Sequence, residues 1–189
     1  MAAGKKTREL QFTLNDEDFK MFGRYRILYT DQGHKMVRRQ RLTYLVSAAA
    51  LAGLFTVFHV DKAFTILVYV IAAAMALVGI FFAESMVLRQ QDKVIASTAN
   101  SAERVHAANN IIRFDEEGFT TYAAGDEQRF SYKDVKLVDM TDQAIYTWLS
   151  DTMIMPIPLH AFKNMSEMKE FNKWFKERVE QGGGKASQN

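Results

Sequence analysis

The residue types that do chemistry are present in this chain, but not in the company that chemistry needs. Asp115, Glu116 and Glu117 are adjacent carboxylates, yet consecutive residues on a turn point apart, so neither an acid/base pair nor a calcium cage is expected of them. His34, His59, His106 and His160 lack metal-ligand spacing. Ser131, Ser150 and Ser166 have no glycine elbow around them, and the run Gly182 to Gly184 follows a predicted helix instead of opening one, so it is no phosphate loop. With no cysteine, a thiolate zinc site, a thiol nucleophile and a disulfide framework are all out of reach. Trp148, Trp174, Tyr122, Tyr132 and Tyr146 fall at core spacing on predicted strands and a helix. No catalytic, metal-binding or cofactor-binding residue is assigned, and the protein is read as a non-enzyme with no small-molecule substrate.

The elements that organise the chain are apolar. Leu42 to Ala83 forms two apolar runs broken only by Asp61-Lys62. Each run is long enough, at about 1.5 Å per residue, to cross a hydrocarbon layer of roughly 30 Å. A transmembrane helical hairpin is predicted over 42–83, retained as an anchor because the first 40 residues lack a signal peptide's short apolar core and cleavage site. Inside it small residues recur four apart: Ala48 with Ala52, Ala49 with Gly53, Ala72 with Ala76, and Gly79 with Ala83. Such spacing lets helix backbones approach in lipid, and Ala49, Gly53, Ala72, Ala76 and Gly79 are the predicted helix-packing residues. Their partner is the other helix of the hairpin, a second copy of the chain, or a larger membrane protein. No Asp, Glu, Lys or Arg lies within either run and His59 lies at the outer edge, so no ionisable residue inside the hairpin lines an ion path, which argues against a transporter.

Charge fixes the expected orientation. Residues 1–41 hold ten Lys and Arg against five Asp and Glu, whereas residues 84–189 hold thirteen against sixteen. Lys35, Arg38, Arg39 and Arg41 precede the first run, Arg89 and Lys93 follow the second, and the intervening turn offers one lysine. The positive-inside rule then places both termini in the cytoplasm and the turn from His59 to Lys62 outside. These six basic residues are the predicted membrane-surface anchor, worth about 1 kcal/mol each near an anionic surface. A nucleic-acid patch or a specific phosphoinositide site is the rival reading of the RRQR cluster, and no nucleic-acid partner is expected.

Around the hairpin the pattern is mixed α and β. Arg8 to Leu14 alternates with the period of a half-buried strand, and Asn15 followed by Asp16, Glu17 and Asp18 opens a helix. The apolar set Phe19, Phe22, Tyr25, Ile27, Leu28 and Tyr29 suits either an interfacial helix on the inner leaflet or a helix packed on a soluble domain. These elements make 1–41 a cytoplasmic N-terminal segment. A three- and four-residue rhythm continues past Ala83, predicting a second helix from about Ala63 to beyond Ser97 and a helical stalk over 84–109, either packed on its own domain or paired with a second chain. From 110 to 181 short period-two runs and turns predict an antiparallel meander of five or six strands, stopped by Pro156 and Pro158. A closing helix follows, capped by Asn164 and Glu167, with Met165, Met168, Phe171, Trp174, Phe175 and Val179 on one face. Residues 182–189 are expected to fray.

The segments IIRFDEEGFT (Ile111 to Thr120), FSYKDVKLVDMTDQAIYTWLS (Phe130 to Ser150) and MPIPLHAFKNMSEMKEFNKWF (Met155 to Phe175) resemble the YcxB-like family of small bacterial membrane proteins. The resemblance implies a pleckstrin-homology-like domain, a bent sheet plugged at one end by the C-terminal helix, and a location in the bacterial inner membrane. It also implies a partner for the Arg8 to Leu14 strand, returning to the sheet across the membrane hairpin. His160 stands where that family's proline element would carry Lys or Arg, and the meander is net acidic. Both features favour a protein partner over a phosphoinositide. The expected function is recruitment or regulation of a protein partner at the inner leaflet. The alternatives are an accessory subunit of a larger transporter or secretion assembly, and an anionic-lipid sensor.

Overall fold

The computed structural model describes residues 8–58, 61–98, 109–123 and 125–186. The chain divides into two compact units, one of Phe22–Ala96 and the other of Met1–Met21 with Ser97–Asn189. His59 and His106 lie outside the described residues, as do residues 99–108 of the predicted stalk, whose final residue, Asn109, opens a strand.

The helical unit contains two helices long and apolar enough to cross a membrane, α2 (Asp31–Val57) and α3 (Lys62–Ser97). They are preceded by α1 (Asp16–Tyr29), which starts in the other unit. Thr30 makes the elbow between α1 and α2: its hydroxyl donates to the Arg26 carbonyl at 2.6 Å and accepts from the Gly33 amide at 3.0 Å. The basic cluster therefore does not precede the first apolar helix as a separate segment. It forms the opening turns of α2, because nothing between Asp31 and Val57 breaks the helix. Asp61 caps α3, accepting from the Ala63 amide at 2.9 Å. Within this unit Arg24 of α1 pairs with Asp92 of α3 at 2.6 Å, and Tyr44 of α2 donates to Met86 Sδ of α3 at 3.2 Å.

The seam of the hairpin is only partly the expected one. Val68, Ala72, Gly79, Ala83 and Val87 of α3 are buried, and Ala76 is half-buried. On α2 the seam is carried by Ala48 with half-buried Ala52, while Ala49 and Gly53 face outward. The two four-residue pairs on α2 are one position apart, about 100° around the helix, so only one of them can face α3. Leu45, Leu54, Ile66, Val70, Leu77 and Phe81 are exposed. Only 6% of the most apolar window of α2 and 22% of that of α3 is buried, which sets both apart from the core helices of a soluble protein.

The other unit is antiparallel β with one helix. Strands β1 (Arg8–Thr13), β2 (Asn109–Phe114), β3 (Gly118–Ala123) and β4 (Asp126–Ser131) form one sheet in that order, and β5 (Leu137–Met140), β6 (Ala144–Trp148) and β7 (Ile154–Pro158) form a second. The first strand pairs with β2 over its whole length, Leu10 opposite Ile112 and Phe12 opposite Asn110, so the expected return across the hairpin is present. The meander is not one ladder: a 3-10 turn at Tyr132–Asp134 separates β4 from β5. Helix α4 (Met165–Gln181) closes the unit, with Met168, Phe171, Phe175 and Val179 buried. They share one core with Phe12, Ile112, Phe114, Phe119, Val138, Ile145 and Ile157 from both sheets and with Tyr132 of the 3-10 turn.

Two expectations need correction here. Pro156 does not stop β7 but lies inside it, opposite Tyr146, and the strand runs on to Pro158. The strand has β6 on one side only, and an edge strand tolerates a residue with no N–H to donate. Fraying does not begin at Gly182 either. The Gly184 amide donates to the Val179 carbonyl at 2.8 Å and the Lys185 amide to the Val135 carbonyl at 2.9 Å, which holds the chain against the core after α4 ends.

Candidate functional site

A cleft of about 420 Å³ in the sheet unit is lined by residues at the start of α1 and by the segment joining β7 to α4. Its acidic wall follows from the way α1 begins. The Asp18 amide donates to Asn15 Oδ1 at 3.0 Å, and Asp18 Oδ2 accepts the Asn15 amide at 2.7 Å. This reciprocal cap satisfies two amides of the first turn and leaves the Asp18 carboxylate buried, its second oxygen 3.7 Å from His160 Nδ1. His160 sits on a 3-10 turn (Leu159–Ala161), and its Nε2 lies 3.2 Å from the Thr13 carbonyl. A carbonyl only accepts, so Nε2 carries the proton and Nδ1 is the nitrogen that faces the carboxylate. The imidazole thereby bridges the end of β1 and the start of α1.

The opposite wall is set by the cap of α4. Asn164 Oδ1 accepts from the Glu167 amide at 2.9 Å, while the Glu167 carboxylate accepts from the Lys163 amide at 2.7 Å. The return bond thus reaches one residue beyond the expected capping box. Tyr146, buried on β6, is pushed up to about 12, first by burial and then by the charges of Asp139 and Asp18, so its phenol stays protonated. Met21, Leu159 and Phe162 give the cleft an apolar lining, and Glu17 and Lys163 bring one charge of each sign. The cleft thus combines an apolar floor with side chains of both signs of charge.

The acidic turn is a structural device. Asp115 accepts from the Glu117 and Gly118 amides at 2.9 and 3.0 Å, and Arg129 of β4 grips it at 2.8 and 3.2 Å. Its backbone carbonyl accepts the Tyr132 hydroxyl at 2.8 Å. Burial alone would raise the Asp115 carboxyl, but the Arg129 guanidinium and the two amides outweigh it and hold the group below its usual range. A carboxyl whose folded value is depressed adds stability that is complete above its unfolded value, about 3.9, and is lost as pH falls through the folded one. Removing Arg129 leaves the burial and takes away the main opposing partner. Arg129→Met is therefore expected to lower stability most near neutral pH, where the wild-type contribution is complete, and to converge on the wild type as pH falls through the folded Asp115 value, as read by tryptophan emission in urea titrations at a series of pH values.

The predicted anchor residues Lys35, Arg38, Arg39 and Arg41 are all exposed on α2, and Arg89 and Lys93 are exposed on α3. Of the predicted packing residues, Ala72 and Gly79 meet the seam, Ala76 flanks it, and Ala49 and Gly53 do not reach it. The neighbourhood of Asp18, His160 and Tyr146 was not legible in the sequence. Asp18 reads there as a helix-dipole carboxylate and His160 as a departure in a proline element, and only the fold brings positions so far apart in the chain together.

Most of this cleft's second wall lies in a segment that a family model covers. Residues 114–175 match the YcxB-like protein family model. The YcxB-like segment runs from the end of β2 into α4; it contains Gln143, Tyr146, His160, Lys163 and Asn164 but neither β1 nor Asp18. No curated protein and no solved structure matches the chain.

Proposed function

We propose that this protein is a non-enzymatic integral protein of the bacterial inner membrane. Its sheet unit, a pleckstrin-homology-like domain on the cytoplasmic side, recruits or regulates a protein partner at the inner leaflet. The observation that carries the reading is the pairing of β1 with β2 around an intervening pair of long apolar helices. Strands of one sheet share one compartment, so the chain between them crosses a bilayer an even number of times, and two exposed apolar helices supply two crossings. The basic residues at the borders of the two apolar runs favour the cytoplasm as that compartment. Anchoring raises the local concentration of the cleft, so a weak peptide interface there becomes an effective one.

One observation favours the reading as a subunit of a larger assembly: Ala49 and Gly53 form an outward-facing small-residue pair, and a Cβ built on Gly53 meets nothing within 4 Å. Cross-linking and affinity mass spectrometry on the tagged protein in native membranes tests both readings. A defined protein partner kept in Gly53→Leu and lost in Lys163→Glu supports recruitment through the cleft. A partner lost in Gly53→Leu alone assigns the chain to an assembly held through its helices, and recovery of the chain without any protein overturns both.

A further inference from the structure

A second cavity, a groove of about 220 Å³, lies wholly within the helical unit and carries an arrangement of charge that partner recruitment does not use. On α2, His34, Val37, Arg38 and Arg41 fall at helical spacings of three and four and line one side of it, with Ile27 and Leu28 from the end of α1 and Glu84 from α3. Its depth along the helices is fixed by packing: Ile27, Val37, Ala83 and Val87 form one buried cluster, which sets Glu84 at the level of this face of α2. His34 Nε2 donates to the Leu28 carbonyl at 2.7 Å, which ties the end of α1 to the groove.

The two borders of the apolar hairpin meet here. Arg41 directly precedes Leu42, where the first apolar run begins, and Glu84 directly follows Ala83, where the second ends. If α2 and α3 span a bilayer, as the reading above holds and as this inference requires, the groove opens at the depth of the lipid head groups. There it offers two guanidinium groups, one carboxylate and an apolar margin. Among the described residues neither Arg38 nor Arg41 has a recorded ion pair. Guanidinium groups bind phosphate by bidentate hydrogen bonds, and a carboxylate beside them repels a purely anionic head group while accepting an ammonium.

We propose that this groove is a binding site for the zwitterionic head group of an aminophospholipid, a phosphoethanolamine, with its phosphate on Arg38 and Arg41 and its primary ammonium on Glu84. A general basic belt attracts any anionic lipid. This site instead prefers a lipid that carries both charges and can donate an N–H to Glu84, which a choline head group cannot.

The test uses the full-length protein in nanodiscs made of equal parts phosphatidylethanolamine, phosphatidylglycerol and phosphatidylcholine, released into the gas phase for native mass spectrometry. The wild type is expected to retain phosphatidylethanolamine above the other two. Glu84→Gln should lower its preference over phosphatidylcholine about tenfold, the effect of one charged hydrogen bond. Arg38→Gln/Arg41→Gln should lose retention of all three. Equal retention of the three lipids by the wild type, preferential retention of phosphatidylglycerol, or a pattern unchanged by the variants overturns the site. Soluble phosphoethanolamine captured as tightly as the lipid would reassign the groove to a free metabolite. Variants are compared only after they match the wild type in helical circular dichroism and in entry into discs. A wild type that fails to enter discs removes the membrane reading itself, an outcome distinct from discs that form and show no lipid preference.

Discussion

Replacing Phe114 by alanine is expected to destabilise the sheet unit by about 3–5 kcal/mol, enough to populate its unfolded form at moderate temperature. Phe114 is fully buried at the end of β2, and its ring centroid lies 5.7 Å from that of Phe119, 5.2 Å from Phe171, 5.8 Å from Trp174 and 5.5 Å from Phe175. The rings of Phe171, Trp174 and Phe175 belong to α4, so the cavity left by the truncation opens between the helix and the first sheet, where three edge-to-face contacts disappear together. The two tryptophans of the chain, Trp148 and Trp174, both lie in this unit, which makes tryptophan emission a report on it alone. The variant should show a much lower emission midpoint in a thermal or urea titration while the helical circular dichroism of the hairpin persists. An unchanged midpoint would mean that α4 is not held through Phe114.

The second large effect belongs to the hairpin. A Cβ added at Gly79 would stand 2.3 Å from Tyr44 Cβ, a separation that real carbon atoms do not adopt, and the obstructing atom is rooted on the neighbouring helix. Gly79→Leu therefore forces α2 and α3 apart at the point where Tyr44 also donates to Met86 Sδ, with an expected loss of about 1–3 kcal/mol or more. Gly53→Leu is the matched control, since that position meets nothing in its own hairpin. Thermal loss of helical circular dichroism in detergent should come much earlier for Gly79→Leu and at the wild-type temperature for Gly53→Leu. Equal behaviour of the two variants would show that the close approach at Gly79 does not hold the pair together.

These two substitutions also mark what the sequence could and could not convey. The stripe on α4 was readable because 3.6-residue periodicity is a local property: of its six predicted residues the fold buries Met168, Phe171, Phe175 and Val179 and half-buries Met165 and Trp174, although it also buries Asn172, which the apolar pattern did not mark. The small-residue pattern was readable as a pattern, but its direction was not. Ala48 with Ala52 and Ala49 with Gly53 are equally well spaced, and the rotation of α2 about its axis is decided by side chains on α3. Pro156 misled for a related reason, since whether a proline is tolerated in a strand depends on which neighbours the strand has. The cleft was the least legible part. Asp18 and His160 are 142 positions apart, and the contact exists only because β1 crosses back to β2 and carries the start of α1 with it.

That crossing has a consequence for the birth of the protein. Leu10 and Phe12 leave the ribosome about a hundred residues before their partner strand does, which at roughly 5–20 residues per second is a wait on the order of 5–20 s. During that interval the first strand has no sheet to join, and the chain synthesised in between carries the helical unit. Once the hairpin is in a bilayer, insertion brings the two strand-bearing ends back to the same side and shortens the search between them. A chain whose hairpin stalls outside the membrane would hold an unpaired strand and two uncovered apolar helices at once, the kind of nascent species that chaperones and proteases recognise. Under the proposed topology, closure of the sheet would then act as a checkpoint on completed insertion.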